Sequence, residues 1–120
     1  MTDEIDEERR GIERYQLVFN LELIDVRTGE PIGYLIDIST EGLMLASEEP
    51  HKVEGRYRMR IPLPTDYDGY DAIEVEATAA WTKPAMNPYF HRTGFRELQL
   101  VSGPHEALDR LIEDYHLQTT

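Results

Sequence analysis

The chain has 120 residues, enough for one domain of ordinary size and too few for two. Its 24 acidic residues outnumber 12 basic ones, and the net charge of −12 excludes the basic field that general nucleic-acid and anionic-membrane binders need. It has no cysteine, so disulfides, thiolate nucleophiles and cysteine metal sites are excluded together, a usage compatible with a reducing cytoplasm.

Residues 1–8 carry Asp3, Glu4, Asp6, Glu7 and Glu8 and no basic residue, the reverse of a signal peptide. They are expected to form a disordered acidic lead-in to a single domain over residues 9–120. No run approaches the roughly 18 apolar residues of a membrane helix, so the expectation is a cytoplasmic protein without membrane insertion. Arg9, Arg10 and Arg14 then surround Gly11 in a short polar arm.

From Gln16 to Val26 the apolar residues Leu17, Phe19, Leu21 and Leu23 fall at every second position, which predicts a first strand. Thr28 to Pro31 supply turn chemistry, and Ile32 to Ile38 resumes as the second strand of a hairpin. Leu43 to Ala46 reads as a short buried strand. In Arg56 to Leu63, Tyr57, Met59, Ile61 and Leu63 alternate with arginines, and Pro62 marks an edge or a strand end. Ile73, Val75, Ala77, Ala79 and Trp81 place one apolar face on a fifth strand. Lys83 to Pro88 is expected as loop, and Tyr89 to Leu100 as a sixth strand with a bulge or a close backbone approach at Gly94.

The period then changes. Ala107, Leu108, Leu111, Ile112 and Tyr115 follow helical spacing, with Pro104 in the first turn after a Ser102 or Gly103 cap. Six strands and one helix predict an all-β fold, a six-stranded antiparallel barrel closed by a C-terminal α-helix. The apolar stripe of the helix must be covered by the barrel or by a second copy, so a monomer and a homodimer are both open.

Two segments carry recognisable chemistry: Arg9-Arg10-Gly11-Ile12-Glu13-Arg14 and Asp37-Ile38-Ser39-Thr40-Glu41-Gly42. A guanidinium fork can bond the O6 and N7 edge of guanine, clasp a phosphate or stack on a purine. Asp37 and Ser39 lie two apart at a strand end, so both emerge on one face while Ile36 and Ile38 point to the other. A carboxylate suits the N1–H and amine of guanine, and a hydroxyl can donate or accept. Gly42 allows either a positive φ or a close backbone approach.

In order and spacing the two segments resemble the RRxxxR and [D/N]xSxxG motifs of the PilZ family, and Ala79-Ala80-Trp81 and His91 to Phe95 look like that family's fifth and sixth strands. The resemblance implies a stand-alone receptor for cyclic di-GMP that changes conformation on binding and regulates a protein partner in motility, biofilm or polysaccharide output. It implies that Arg10 and Arg14, assisted by Arg9, hold guanines and phosphates, that Asp37 and Ser39 bind a guanine, and that Gly42 shapes the loop. No cofactor, metal, DNA or RNA is implied. The other reading is a degenerate relative that serves pilus or motility assembly and does not bind the nucleotide.

Other features are read structurally. Arg56, Arg58 and Arg60 face Glu74 and Glu76 on the adjoining strand and are expected to pair with them. Asp66 to Asp71 fails the calcium-loop register, since position twelve from Asp66 is Ala77. His105 and His116 lie too far apart to share an ion with Asp109. No nucleophile or metal arrangement supports an enzyme. Trp81 is read as core, although at a barrel mouth it could stack on a purine.

Overall fold

The structure, a computed structural model, describes residues 21–64, 67 and 69–116. Six strands, β1 (Glu22–Asp25), β2 (Pro31–Ile38), β3 (Gly42–Ser47), β4 (Arg56–Pro62), β5 (Ala72–Pro84) and β6 (His91–Ser102), precede one helix, α1 (His105–His116). They pair in the order β1-β2-β3-β6-β5-β4, every pair antiparallel, and β1 pairs with β4 to close the barrel. Closure leaves no unpaired sheet edge, which is how so short a set of strands satisfies its backbone groups.

The alternation seen in the sequence points inward as expected. Leu43 and Leu45, Met59 and Ile61, and Ile73 and Val75 fill the barrel with Leu23, Leu35 and Ile38. Each such buried side chain contributes about 1.5–3 kcal/mol. Residues 1–8 and the expected start of the first strand, with Leu17 and Phe19, lie outside the described residues.

The β5–β6 hairpin is longer than the sequence suggests. A loop is expected from Lys83, but Lys83 pairs with Arg92 and Pro84 with His91, so β5 continues to Pro84 and β6 begins at His91 instead of Tyr89. The ladder outlasts the loop-like composition because the turn closes on itself: the Ala85 N–H donates to the Phe90 carbonyl (2.9 Å), and the Phe90 N–H to that of Asn87 (3.0 Å).

Two bulges decide which side chains face outward. On β2 the register against β3 shifts between Leu35 and Asp37, leaving Ile36 as the extra residue. Leu35 and Ile38 therefore point into the core, and Ile36, expected to share the inner face with Ile38, is only half-buried. On β5 the register against β6 shifts between Ala79 and Trp81, so Ala79 pairs with buried Phe95 while Trp81 pairs with Gly94. The extra residue, Ala80, turns Trp81 out of the inner row that plain alternation gives it.

In α1, Ala107, Leu108, Leu111 and Tyr115 are buried, and the helix packs against β2. The apolar stripe is thus covered within one chain. The Pro104 carbonyl accepts from the Ala107 N–H (3.1 Å), which puts the cap at Pro104, one residue beyond Gly103 and two beyond Ser102. Tyr67, buried in the β4–β5 loop, donates its hydroxyl to Asp114, and the Arg110 guanidinium lies 4.5 Å from its ring centroid.

Candidate functional site

The β2–β3 connection is a tight turn built by the motif itself. The Ser39 N–H donates to the Gly42 carbonyl (2.8 Å), and the Ser39 hydroxyl donates to the same oxygen (3.4 Å) while accepting from the Glu41 N–H (3.2 Å). The Glu41 carbonyl accepts from the Leu98 N–H (3.1 Å), which ties the turn to β6. Of the two reasons offered for a glycine at 42, the structure selects close approach: a Cβ there would stand 2.1 Å from the Phe95 carbonyl oxygen. No left-handed φ is involved.

Because paired residues share a face, the ladder defines the outer surface beside this turn. Asp37 pairs with Met44, Met44 with Gly94, and Gly94 with Trp81, so one row crosses four strands from Asp37 to Trp81. Gly94 is the close approach anticipated from the sequence, since a Cβ there would lie 2.3 Å from Trp81 Cε2 and 2.4 Å from Nε1. The indole rests on the glycine and is half-buried.

Asp37, Ser39, Gly42, Met44, Ala80, Trp81 and Arg96 line a shallow depression of about 280 Å³ on this face. A carboxylate, a hydroxyl and an indole are the groups a flat, donor-rich purine needs: acceptors at its edge and an aromatic surface for its face. Arg96 adds a cation at the rim, although its guanidinium bonds Glu54 at 2.9 Å and lies 3.9 Å from Glu97. The hydrogen bond and charge of Arg96 hold the Glu54 carboxyl below its ordinary pKa. Glu54 and Glu97 both have left-handed φ, 71° and 60°, in a region that side chains other than glycine enter at some cost.

The structure therefore brings together Asp37, Ser39 and Gly42, while Arg9, Arg10 and Arg14 lie outside the described residues. Sequence reasoning did not place Arg96 or Met44 here. Their shared register with Gly42 and Gly94 would have found them, had the β3–β6 pairing been known. It also left Trp81 in the core, because nothing in Ala79-Ala80-Trp81 announces a bulge.

The expected pairing of the other arginine row is observed. Arg58 meets Glu74 at 3.0 Å, Arg60 meets the same carboxylate at 3.6 Å, and Arg56 meets Glu76 at 3.4 Å. Among the described residues, no group of His, Asp and Glu side chains could hold a metal ion, and no helix is long and apolar enough to cross a membrane.

The described residues form a closed six-stranded barrel with one covering helix and a shallow depression with polar and aromatic lining on its outer face. A family model, the PilZ domain, matches residues 8–114, nearly the whole chain, and the protein belongs to that family, whose known role is cyclic di-GMP binding. No curated protein and no solved structure gives a significant match.

Proposed function

We propose that this chain is a receptor for cyclic di-GMP, held between Arg9, Arg10 and Arg14 and the outer barrel face of Asp37, Ser39, Gly42 and Trp81. The observation that carries this reading is the convergence of Asp37 and Trp81, 44 positions apart in sequence, on one row beside the Ser39–Gly42 turn. Chain length supports the rest. The Leu21 carbonyl accepts from the Leu35 N–H (2.8 Å), two residues from Asp37 on β2. Arg14 stands seven residues upstream of Leu21, a span of at most about 25 Å, so it can reach the same face.

In this reading Asp37 accepts from the guanine N1–H and amine, Trp81 stacks on a base, and the arginines take phosphates and a second guanine. The ligand thereby ties the arginine segment to the barrel, and the altered surface is what a protein partner reads. The protein acts by binding and not by catalysis.

One observation favours the other reading, a PilZ-type interaction module that does not bind the nucleotide. Ser39 and Gly42 are accounted for by the turn and the Phe95 contact alone, so their presence does not by itself require a ligand. Calorimetric titration of cyclic di-GMP into the wild-type chain and into Asp37→Ala and Arg14→Ala decides between the two. Receptor function requires wild-type binding and a loss of about 1–3 kcal/mol in each variant. No binding at high micromolar ligand overturns the receptor reading.

A further inference from the structure

One step along the same outer face from Trp81 and Gly94 lies a pair the motifs do not include. Lys83 and Arg92 are direct cross-strand partners on β5 and β6, and Ala46 of β3 completes their row. Both are exposed, and the row sits two residues, about 7 Å, from the Trp81–Gly94 row. Like charges placed directly opposite on a ladder repel. In a chain with twice as many acidic as basic residues, neither forms an ion pair with a described residue. The other strand cations of this region are differently placed: Arg56, Arg58, Arg60 and Arg96 are each held by a glutamate. The Lys83 ammonium rests instead over the Trp81 ring, 5.2 Å from its centroid.

We infer that Lys83 and Arg92 form an anion subsite beside Trp81 that takes a phosphodiester of the bound nucleotide. The inference deepens the receptor reading and rests on it for the identity of the ligand. A base laid on Trp81 carries its phosphate to within reach of an ammonium already at the ring. An anion between two opposed cations removes their repulsion as well as adding two charge-assisted bonds. Lys83 then exchanges the ring for the phosphate, so the indole reports occupancy. Trp81 is the single tryptophan of the chain, which makes its fluorescence a direct readout.

The test uses the full chain as wild type, Lys83→Gln, Arg92→Gln and the double variant. Without ligand, the double variant is expected to melt close to the wild-type temperature, because the repulsion removed is offset by loss of the Lys83–Trp81 contact and no core contact is touched. With cyclic di-GMP, each single variant should bind about tenfold more weakly at low salt, and the double variant should show a shallower dependence of affinity on salt. Wild-type binding with unchanged affinity and salt dependence in the double variant overturns the subsite. Inorganic pyrophosphate separates this outcome from failure of the receptor reading. If the wild type does not bind cyclic di-GMP, a pyrophosphate-induced change in Trp81 emission that the double variant lacks still supports the subsite. Equal responses in the two proteins overturn it.

Discussion

Replacing Gly94 with alanine tests whether the fold holds Trp81 at the surface for use. The added methyl would sit 2.3–2.6 Å from three atoms of the indole, inside any van der Waals contact, so the ring must leave its seat. The obstacle is a side chain and not backbone, so the barrel itself can survive. Forced displacement of a packed ring costs about 1–3 kcal/mol, which for a domain of this size lowers the melting temperature by about 4 °C per kcal/mol. Gly42→Ala is the internal comparison: there the methyl meets the Phe95 carbonyl at 2.1 Å, and only a shift of the β3–β6 ladder can relieve it. Gly42→Ala should therefore be the more destabilising of the two, while Gly94→Ala should be the one that red-shifts Trp81 emission. Base stacking on an aromatic contributes about 1–3 kcal/mol, so Gly94→Ala should also weaken cyclic di-GMP binding by about 5- to 150-fold. Thermal melts, emission spectra and calorimetry on the two variants measure all three effects. A Gly94→Ala protein with wild-type melting temperature and wild-type emission would refute the packing argument.

Three further outcomes follow from the same geometry. Tyr67→Phe removes the donor to Asp114 and should cost about 1 kcal/mol, a fall of about 4 °C in thermal melts. Burial first, and the Asp114 contact second, push the Tyr67 hydroxyl pKa up, so its contribution is intact below the unfolded value near 10 and is lost as pH rises beyond it; the variant should lose less stability on that alkaline limb. Burial also lowers the His51 pKa, opposed by its bond to the Ile32 carbonyl and by the charge of Asp25. The unfolded chain then takes up the proton first, so this contribution is complete above about pH 6.5 and is lost as pH falls through the lower folded value. His51→Gln should flatten the decline of melting temperature between about pH 7 and pH 5, and an unchanged slope would count against the assignment. Deleting residues 1–8, which carry Asp3, Glu4, Asp6, Glu7 and Glu8 beside the arginines, should tighten cyclic di-GMP binding most at low salt, as calorimetry at two ionic strengths would show.

Where a segment obeyed one period throughout, its structure was legible from the residues. The rows Met59–Ile61 and Ile73–Val75 and the stripe Leu108–Leu111–Tyr115 face inward as their spacing requires. The pairing of Arg58 and Arg60 with Glu74 was legible too, because two facing rows of opposite charge leave few other arrangements. What escaped were single-residue insertions. Ile36 and Ala80 carry ordinary side chains for a strand, and their bulges exist only relative to the partner strand. One such residue exchanges inside for outside along everything that follows it, which is why the indole was assigned to the core. The length of the β5–β6 hairpin was missed for a related reason: Lys83 and Pro84 look like loop residues, and only their pairing with Arg92 and His91 makes them strand.

These displacements bear on how the second motif should be understood. Asp37-Ile38-Ser39-Thr40-Glu41-Gly42 combines two kinds of requirement in six positions. Ser39 and Gly42 answer to the chain, since the hydroxyl closes the turn and the missing side chain admits the Phe95 carbonyl. Ile38 answers to the core. Asp37 sits on the outer row with Met44, Gly94 and Trp81. Changes at Ser39 or Gly42 therefore disturb folding and binding together and cannot tell a receptor from a scaffold. Trp81 answers to neither the turn nor the inner row, because the bulge at Ala80 that turns it outward works against plain alternation, and its alignment with Asp37 is where the barrel most resembles a surface built for a ligand.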